Sequence, residues 1–210
     1  GQPNYHMLIY DPENYKIFLI YIVKVLSEKR PECSKVYGKN LNKVIAELTR
    51  IVSMSPKLNI DAAADMPLTQ YGVSWLGVRI RYLVVKEHGV AVSPSMLRDI
   101  ENGAEKGSIG LIVVVWPLSS KASEALKNIA LRHSVPVLYV PSPFTKGTIL
   151  NKLANISLQA RSLEAKLGQR MAFHEGASAA YLHLLLPVSG IFGLAALGFL
   201  AYYITRGGGR

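Results

Sequence analysis

The sequence predicts an α/β protein: a helical hairpin, a three-layer α/β/α domain with a largely parallel sheet, and a heptad helix leading into one transmembrane helix. Three observations support this fold class. Apolar strands alternate with helices in the middle of the chain, a seven-residue apolar repeat follows, and a long uncharged segment comes after it. The predicted boundaries are 1–56 for the hairpin, 57–71 for a connector, 72–148 for the α/β domain, 149–176 for a stalk helix, 177–205 for the transmembrane helix and 206–210 for a basic tail.

Start and stop signals predict the two helices of the hairpin. Asp11 is a good N-cap because proline follows it directly, and Pro31 ends the first helix. The apolar run Ile17–Val23 is much shorter than the roughly 20 residues that a bilayer requires. We therefore expect this run to lie in a core, as part of the helix or, alternatively, as a strand. Apolar residues at helical spacing from Leu41 predict a second helix, which Pro56 ends.

The segments of the α/β domain differ in how clearly they are predicted. Residues 57–71 lack periodicity and are interpreted as the connector, and Trp75–Lys86 fits a strand or a helix. The pattern after this point predicts three strands separated by two helices. In chain order these elements are VAVS at 90–93, a helix at Pro94–Asn102, LIVVVW at 111–116, a helix at Ser119–His133 and VPVLYV at 135–140. Continuous apolar strands joined by helices are typical of a parallel sheet that is covered on both faces.

An apolar stripe follows the last strand. Its members step by four and three residues, at Ile149, Leu153, Ile156, Ala160, Leu163 and Leu167. Such a heptad pattern predicts a helix that pairs with a copy of itself or with one partner helix. The alternative is that the same stripe packs on the sheet of its own domain.

The end of the chain predicts a membrane span from Tyr181 to Ile204. No charged residue occurs from Leu184 to Ile204, tyrosines stand at both ends of the segment, and Arg206 follows it. The alternative is a buried apolar helix of a large assembly. The N-terminus lacks the pattern of a secretory signal, so we expect the preceding domain to be cytoplasmic.

Composition indicates the class of partner. The chain has 24 lysines and arginines against 14 acids, a formal charge of +10, which favours nucleic acid or anionic lipid headgroups as partners. The single cysteine, Cys33, excludes an internal disulfide and a cysteine-rich zinc site. The five histidines show no metal-site spacing, and no nucleotide, zinc, hydrolase or calcium motif is present. We therefore expect no metal, no cofactor, no small-molecule substrate and no required enzymatic activity.

Two polar clusters each follow a predicted strand, namely Ser119 and Ser120 with Lys121, and Ser142 and Thr145 with Lys146. The carboxyl ends of strands and the N-termini of helices bind anions, so Ser119, Ser120, Lys121 and Lys146 are candidate nucleic-acid or anion ligands. The alternative is that these polar side chains only cap helices.

Residues 75–152 resemble the kink-turn-binding ribosomal protein family. VPVLYVPSPFTKG at 135–147 is similar to the last strand and following turn of that family, and VSPSMLRDIENG at 92–103 corresponds to its RNA-contacting run. In that run Arg98 takes the position of a lysine, and Gly103 matches a glycine. The resemblance implies a small α/β/α domain that binds bent RNA through Arg98.

RYLVVKEHGVAVSPSML, residues 81–97, also resembles the Mrr-type restriction-endonuclease fold. In that comparison Lys86 stands for the catalytic lysine and Glu47 for a helical acid, while Val84 occupies an acid position. The resemblance implies a degenerate nuclease that has lost the carboxylates needed to hold a metal ion.

These observations predict a single-pass, tail-anchored membrane protein whose basic cytoplasmic domain binds RNA, DNA or a nucleoprotein near the membrane. The first alternative is a structural subunit of an oligomeric membrane complex, in which the stalk helix pairs with copies of itself and the basic surface contacts lipid or an acidic protein. The second alternative is an inactive nuclease-like domain.

Overall fold

The computed structural model describes residues 7–85, 92–117 and 120–167, which form six α-helices and one four-stranded sheet. The helices are α1 (Pro12–Lys29), α2 (Ser34–Ser53), α3 (Leu68–Ser74), α4 (Pro94–Glu105), α5 (Lys121–Arg132) and α6 (149–167). The strands are β1 (Asp61–Ala64), β2 (Arg79–Leu83), β3 (Leu111–Trp116) and β4 (Val137–Pro141). Short 3-10 helices at Leu8–Tyr10 and Pro31–Cys33 precede α1 and α2.

The sheet is parallel throughout, with the strand order β2-β1-β3-β4. Alternate side chains of the strands enter two separate cores, because successive residues of a strand point to opposite faces. Ala64 and Val113 pack with α2, α3 and α6 on one face, whereas Ala63 and Val114 pack with α4 and α5 on the other. The predicted three-layer α/β architecture with a parallel sheet is confirmed.

The central strand β1 lies inside the segment that was predicted as a connector. Ala62, Ala63 and Ala64 are fully buried between β2 and β3, and α3 begins at Leu68, before the predicted connector ends. Alanine is depleted in strands, so the run lacks the β-branched and aromatic residues by which a strand is recognised. Burial on both faces favours these small side chains here.

The other elements of the sheet domain follow the sequence patterns more closely. β2 confirms the strand alternative for Trp75–Lys86, and β3, β4, α4 and α5 lie where strands and helices were predicted. The predicted strand at 90–93 lies partly outside the described residues. Its last residue, Ser93, is instead the N-cap of α4, with its hydroxyl accepting a hydrogen bond from the Met96 amide.

The first helix has the predicted N-cap but not the predicted burial. The Asp11 carboxylate accepts hydrogen bonds from the backbone amides of Glu13 and Asn14 at 3.0 and 3.1 Å. The run that was expected to lie in a core is exposed, with 63% of Ile17 and 65% of Tyr21 accessible. The reason is that α1 makes its main contacts with α2 and the short helices flanking it, and these cover only part of its surface.

The apolar stripe of α6 packs on the sheet of its own domain. Leu153 and Ile156 are fully buried in the same core as Leu138 and Val140 of β4. The alternative interpretation is therefore correct, and the prediction of a stalk that pairs with a copy of itself or with a partner helix is wrong. A stripe that is used in the domain core is not free to form a second interface.

Within the ranges that the structure describes, no helix is long and apolar enough to cross a membrane. The predicted span from Tyr181 to Ile204, the end of the stalk helix at 168–176 and the basic tail at 206–210 all lie outside the described residues.

Candidate functional site

Asp65 comes directly after β1 at a special position in the sheet. The chain leaves β1 through α3 towards β2, and it leaves β3 through α5 towards β4, on the other side. Two neighbouring parallel strands whose connections depart in opposite directions leave a crevice at their carboxyl ends, and ligands of open α/β sheets bind there. Asp65 lies at this junction of the two strands.

The Asp65 side chain is fully buried and is held by two different elements. Its Oδ2 accepts a hydrogen bond from the Val115 amide of β3 at 2.9 Å and another from the Ser123 hydroxyl at 2.6 Å. Ser123 lies in the first turn of α5, where the positive end of the helix dipole favours a nearby carboxylate. These contacts fix the orientation of the carboxyl group at the junction of β1, β3 and α5.

The second carboxyl oxygen of Asp65 has no such partner. Oδ1 is buried and meets no hydrogen-bond donor at bonding geometry among the described residues. Burial raises the pKa of Asp65, and the hydrogen bonds from Ser123 and Val115, with the nearby backbone amides of Met66 and Asp65, act in the opposite direction. An unsatisfied buried acceptor costs about 1–3 kcal/mol. A bound cation, or a hydrogen-bond donor on a ligand, would remove this cost.

The loop after β4 is at the same edge of the sheet and is held by a buried lysine. Lys152 of α6 donates hydrogen bonds from its Nζ to the carbonyl oxygens of Ser142 and Pro143 at 2.9 Å and of Thr145 at 3.0 Å. Burial lowers the pKa of Lys152. The loop it organises carries Phe144, which is 96% exposed.

The described part of the chain does not by itself complete a metal site. It contains no group of three or more histidine, cysteine, aspartate or glutamate side chains placed to hold one ion. Nε2 of His133, directly after α5, lies 3.2 Å from Oε1 of Glu101 in α4, within hydrogen-bond distance. The remaining histidines, His6, His88, His174 and His183, lie outside the described ranges. Asp65 therefore supplies one potential ligand, a buried oxygen that makes no hydrogen bond among the described residues.

The residues that the sequence singled out are spread over the surface. Ser120 is the N-cap of α5 and accepts a hydrogen bond from the Ser123 amide at 3.1 Å. Arg98 on α4, Lys121 at the start of α5 and Lys146 in the β4–α6 loop are exposed. Ser119 and Lys86 lie outside the described residues. Of this set, only Ser120 is linked to Asp65, through Ser123, and an anion-binding role for any of them stays a prediction.

Asp65 itself was not singled out from the sequence, because it lay in the predicted connector. The available signal was an acidic residue directly after a run of small apolar residues, which is the pattern of a strand end followed by a polar site residue. Recognition of that signal depends on recognising β1 first.

No protein-family profile matches the chain, and no curated protein sequence matches it. Solved structures do match. A Mn-bound point mutant of a periplasmic metal-binding protein from Candidatus Liberibacter asiaticus is 19% identical, with a TM-score of 0.57 over 80% of this chain and 64% of that chain. The Mn²⁺ complex of the solute-binding protein FpvC from Pseudomonas aeruginosa is 16% identical, with a TM-score of 0.60 over 76% of this chain and 61% of that chain.

A third match, ZnuA, is 19% identical with a TM-score of 0.58, over 79% of this chain and 66% of that chain. At these identities the likeness establishes the fold. The chain spans less than two thirds of the length of the first two proteins. The described domain therefore has the fold of part of a periplasmic solute-binding protein.

This fold corrects the two family resemblances. The domain is not a kink-turn-binding ribosomal protein or an Mrr-type nuclease, because the solved structures that it matches have the fold of solute-binding proteins such as FpvC. Gly103 has a packing role, since a Cβ there would stand 2.8 Å from Cγ1 of Ile109. Glu47, assigned as a nuclease acid, is instead paired with Arg50 on the surface of α2 at 2.6 Å.

The predicted function, partners and location are wrong for the same reason. The structural matches include a periplasmic metal-binding protein, a solute-binding protein in complex with Mn²⁺ and ZnuA, and they do not support nucleic acid, membrane lipid or copies of this chain as partners, or a cytoplasmic domain on a tail anchor. A structural membrane-complex subunit and an inactive nuclease do not fit this fold either. The expectation that no small solute is bound is likewise not supported by these matches.

Proposed function

We propose that this chain contributes the ligand-binding α/β domain of a solute-binding protein, and that its solute is a divalent metal ion held by Asp65. The observation that carries the proposal is the buried Oδ1 of Asp65, which makes no hydrogen bond among the described residues and lies at the strand ends where open α/β sheets bind ligands. One matched protein is a Mn-bound periplasmic metal-binding protein and another is a solute-binding protein in complex with Mn²⁺, which supports the same class of solute.

The hydrogen bonds around Asp65 suit a metal ligand. Carboxylate oxygens bind divalent ions such as Mn²⁺ and Zn²⁺, and outer hydrogen bonds orient a ligating side chain and tune it. Val115 and Ser123 occupy only Oδ2, which leaves Oδ1 to the solute. Since burial raises the pKa of Asp65, a bound ion would displace a proton more readily as pH rises.

One carboxylate does not hold an ion tightly. The remaining ligands in this proposal come from residues outside the described ranges, from water, or from a part of the protein that this chain does not cover. As a solute-binding protein, the assembled molecule would deliver the ion to a membrane transporter, and this partner belongs to the same proposal.

Metal titration with two matched variants tests the proposal. Asp65 and Asp61 flank the same strand, but Asp61 lies at its amino end and is paired with Arg79 and Arg81. Mn²⁺ and Zn²⁺ would be titrated into the full chain and into Asp65→Asn and Asp61→Asn, with heat of binding as the readout. We expect Asp65→Asn to weaken binding by about tenfold or more, as loss of a charged contact does, and Asp61→Asn to leave it unchanged.

Two outcomes would overturn the proposal. The first is that neither ion binds the folded full chain. The second is that an ion binds equally well to Asp65→Asn and to the unchanged chain, which would place the metal elsewhere.

A further inference from the structure

A cavity of about 380 Å³ lies at β4, which is the edge strand of the sheet. It does not include Asp65 or its partners Val115 and Ser123, and it is lined by Trp116, Lys127, Tyr139, Pro141, Asn155 and Gln159. Its volume falls within the roughly 300–1,000 Å³ of small-molecule sites. The lining comes from two strands and from helices on both faces of the sheet, so the cavity is built by the folded domain.

Two aromatic rings form the apolar wall of the cavity. Trp116 and Tyr139 meet edge to face, with ring centroids 5.6 Å apart and an angle of 76° between the ring planes. Trp116 is nevertheless 53% exposed. A large aromatic side chain that is held in place and left accessible offers its face to a planar group.

The edge of β4 is already closed to another strand. The Tyr139 amide donates to Oε1 of Gln159 at 2.9 Å, and Nε2 of Gln159 donates to the Tyr139 carbonyl oxygen at 2.8 Å. The same Nε2 donates to Oδ1 of Asn155 at 2.7 Å. The side-chain amide thus takes the place of a neighbouring strand. An extended peptide added to this edge would have to displace it, so the cavity suits a compact ligand.

Three polar groups of the cavity are hydrogen-bond donors that are open to a ligand. Within the described part of the chain, Nζ of Lys127, Nε1 of Trp116 and Nδ2 of Asn155 have no hydrogen-bond or ion-pair partner, and no carboxylate lines the cavity. The Asn155 oxygen already accepts a hydrogen bond from Gln159, and its amide hydrogens remain for a ligand. A cation and several donors beside two rings complement an acceptor-rich, negatively charged group on a planar apolar body.

We propose that this cavity binds a small planar organic anion, of the aromatic carboxylate class. The ring of the ligand packs against Trp116 and Tyr139, and its carboxylate accepts hydrogen bonds from Lys127 and from the Asn155 amide. This proposal is independent of the metal proposal, because the two sites share no side chain.

Binding of 2-naphthoate to the full chain, measured by calorimetry, tests the proposal, with the neutral 2-naphthamide as the matched probe. We expect naphthoate to bind more tightly than naphthamide. Lys127→Gln should weaken naphthoate by about tenfold while leaving naphthamide unchanged, because it removes a charge-assisted hydrogen bond. Lys43→Gln changes an exposed lysine of α2 that does not line the cavity, and should have no effect.

Further variants separate the proposal from its competitors. Trp116→Ala should weaken both probes, and Asp65→Asn should affect neither. Circular dichroism would verify that each variant is folded. Absence of naphthoate binding at millimolar concentration would overturn the proposal. Equal binding of the two probes, with no effect of Lys127→Gln, would also overturn it, since the cavity would then not recognise the charge.

Discussion

The helices α1 and α6 both carry many apolar residues, and they are used in opposite ways. The run Ile17–Val23 of α1 is largely exposed, whereas Leu153 and Ile156 of α6 are fully buried against the sheet. The sequence pattern differs accordingly, because the apolar residues of α6 form one stripe and those of α1 occupy every side of the helix. A stripe can be covered by one neighbour, while a helix that is apolar all round needs neighbours on all sides.

The comparison shows that burial depends on what a helix faces and not only on its composition. α6 lies on a sheet, whose broad face covers the whole stripe. α1 contacts mainly α2 and two short 3-10 helices. Predictions about stability therefore depend on the neighbours of each residue, and the first two below compare a buried with an exposed side chain.

The largest effect is expected from truncation of the buried stripe. Ile156→Ala removes a fully buried side chain and should lower the free energy of unfolding by about 2–5 kcal/mol, because it leaves a cavity. Ile17→Ala, on the exposed face of α1, should change it by less than about 0.5 kcal/mol. Urea unfolding followed by circular dichroism measures both. Equal losses for the two variants would contradict the assignment of α1 and α6.

An intermediate effect on the free energy of unfolding is expected at Lys152, near the start of α6. Lys152→Met leaves the carbonyl oxygens of Ser142, Pro143 and Thr145 without their donor, and should cost about 1–3 kcal/mol in the same unfolding experiment. Lys166→Met changes an exposed lysine of the same helix and should cost little. The interpretation of Lys152 as the organiser of the loop fails if the two variants lose the same stability.

The smallest effect is a pH dependence that distinguishes the two aspartates flanking β1. The folded-state pKa of Asp65 is raised by burial, so the folded chain binds more protons than the unfolded chain, and its stability falls as pH rises from about 3.9 through the raised pKa. The stability of Asp65→Asn relative to the unchanged chain should therefore increase with pH across this window. Urea midpoints at several pH values measure the difference.

For Asp61, the pH dependence of stability has the opposite sign. Its burial raises the pKa, but the hydrogen bonds from Arg81 and Arg79 outweigh that effect and hold the pKa below the usual range. The stability that Asp61 contributes is present above the unfolded pKa of about 3.9 and is lost as pH falls through the lowered value. Asp61→Asn should thus lose stability relative to the unchanged chain as pH rises through that acidic window. If the stabilities of Asp65→Asn and Asp61→Asn, each relative to the unchanged chain, changed with pH in the same direction, the proposed difference between the two aspartates would be wrong.

The sequence was sufficient for the elements that carry strong local signals. β3 and β4 consist of continuous apolar residues, and α4 and α5 begin at serine N-caps, so strands and helices were predicted where the structure has them. These elements also established the parallel sheet. β1 has no comparable signal, because three alanines support a strand only through their pairing with β2 and β3.

The site was missed as a consequence of the missed strand. Asp65 is recognisable only when β1 is known to be central and its carboxyl end is known to meet β3. The stripe of α6 presents a similar difficulty, since the spacing of Leu153 and Ile156 suits a partner helix and a sheet equally well. Both β1 and the stripe of α6 are placed by contacts with segments that are distant in the sequence, and the pattern of a single segment does not show those contacts.

The location of a bound metal ion tests the central claim most directly. Crystals of the full chain grown with Mn²⁺ would be measured near the manganese absorption edge, where the ion scatters anomalously. The account predicts an anomalous peak about 2.0–2.4 Å from Oδ1 of Asp65, the usual range for a metal–oxygen bond, and no such peak in Asp65→Asn. A peak bound to other residues and unchanged in Asp65→Asn, or no peak at saturating Mn²⁺, would contradict it.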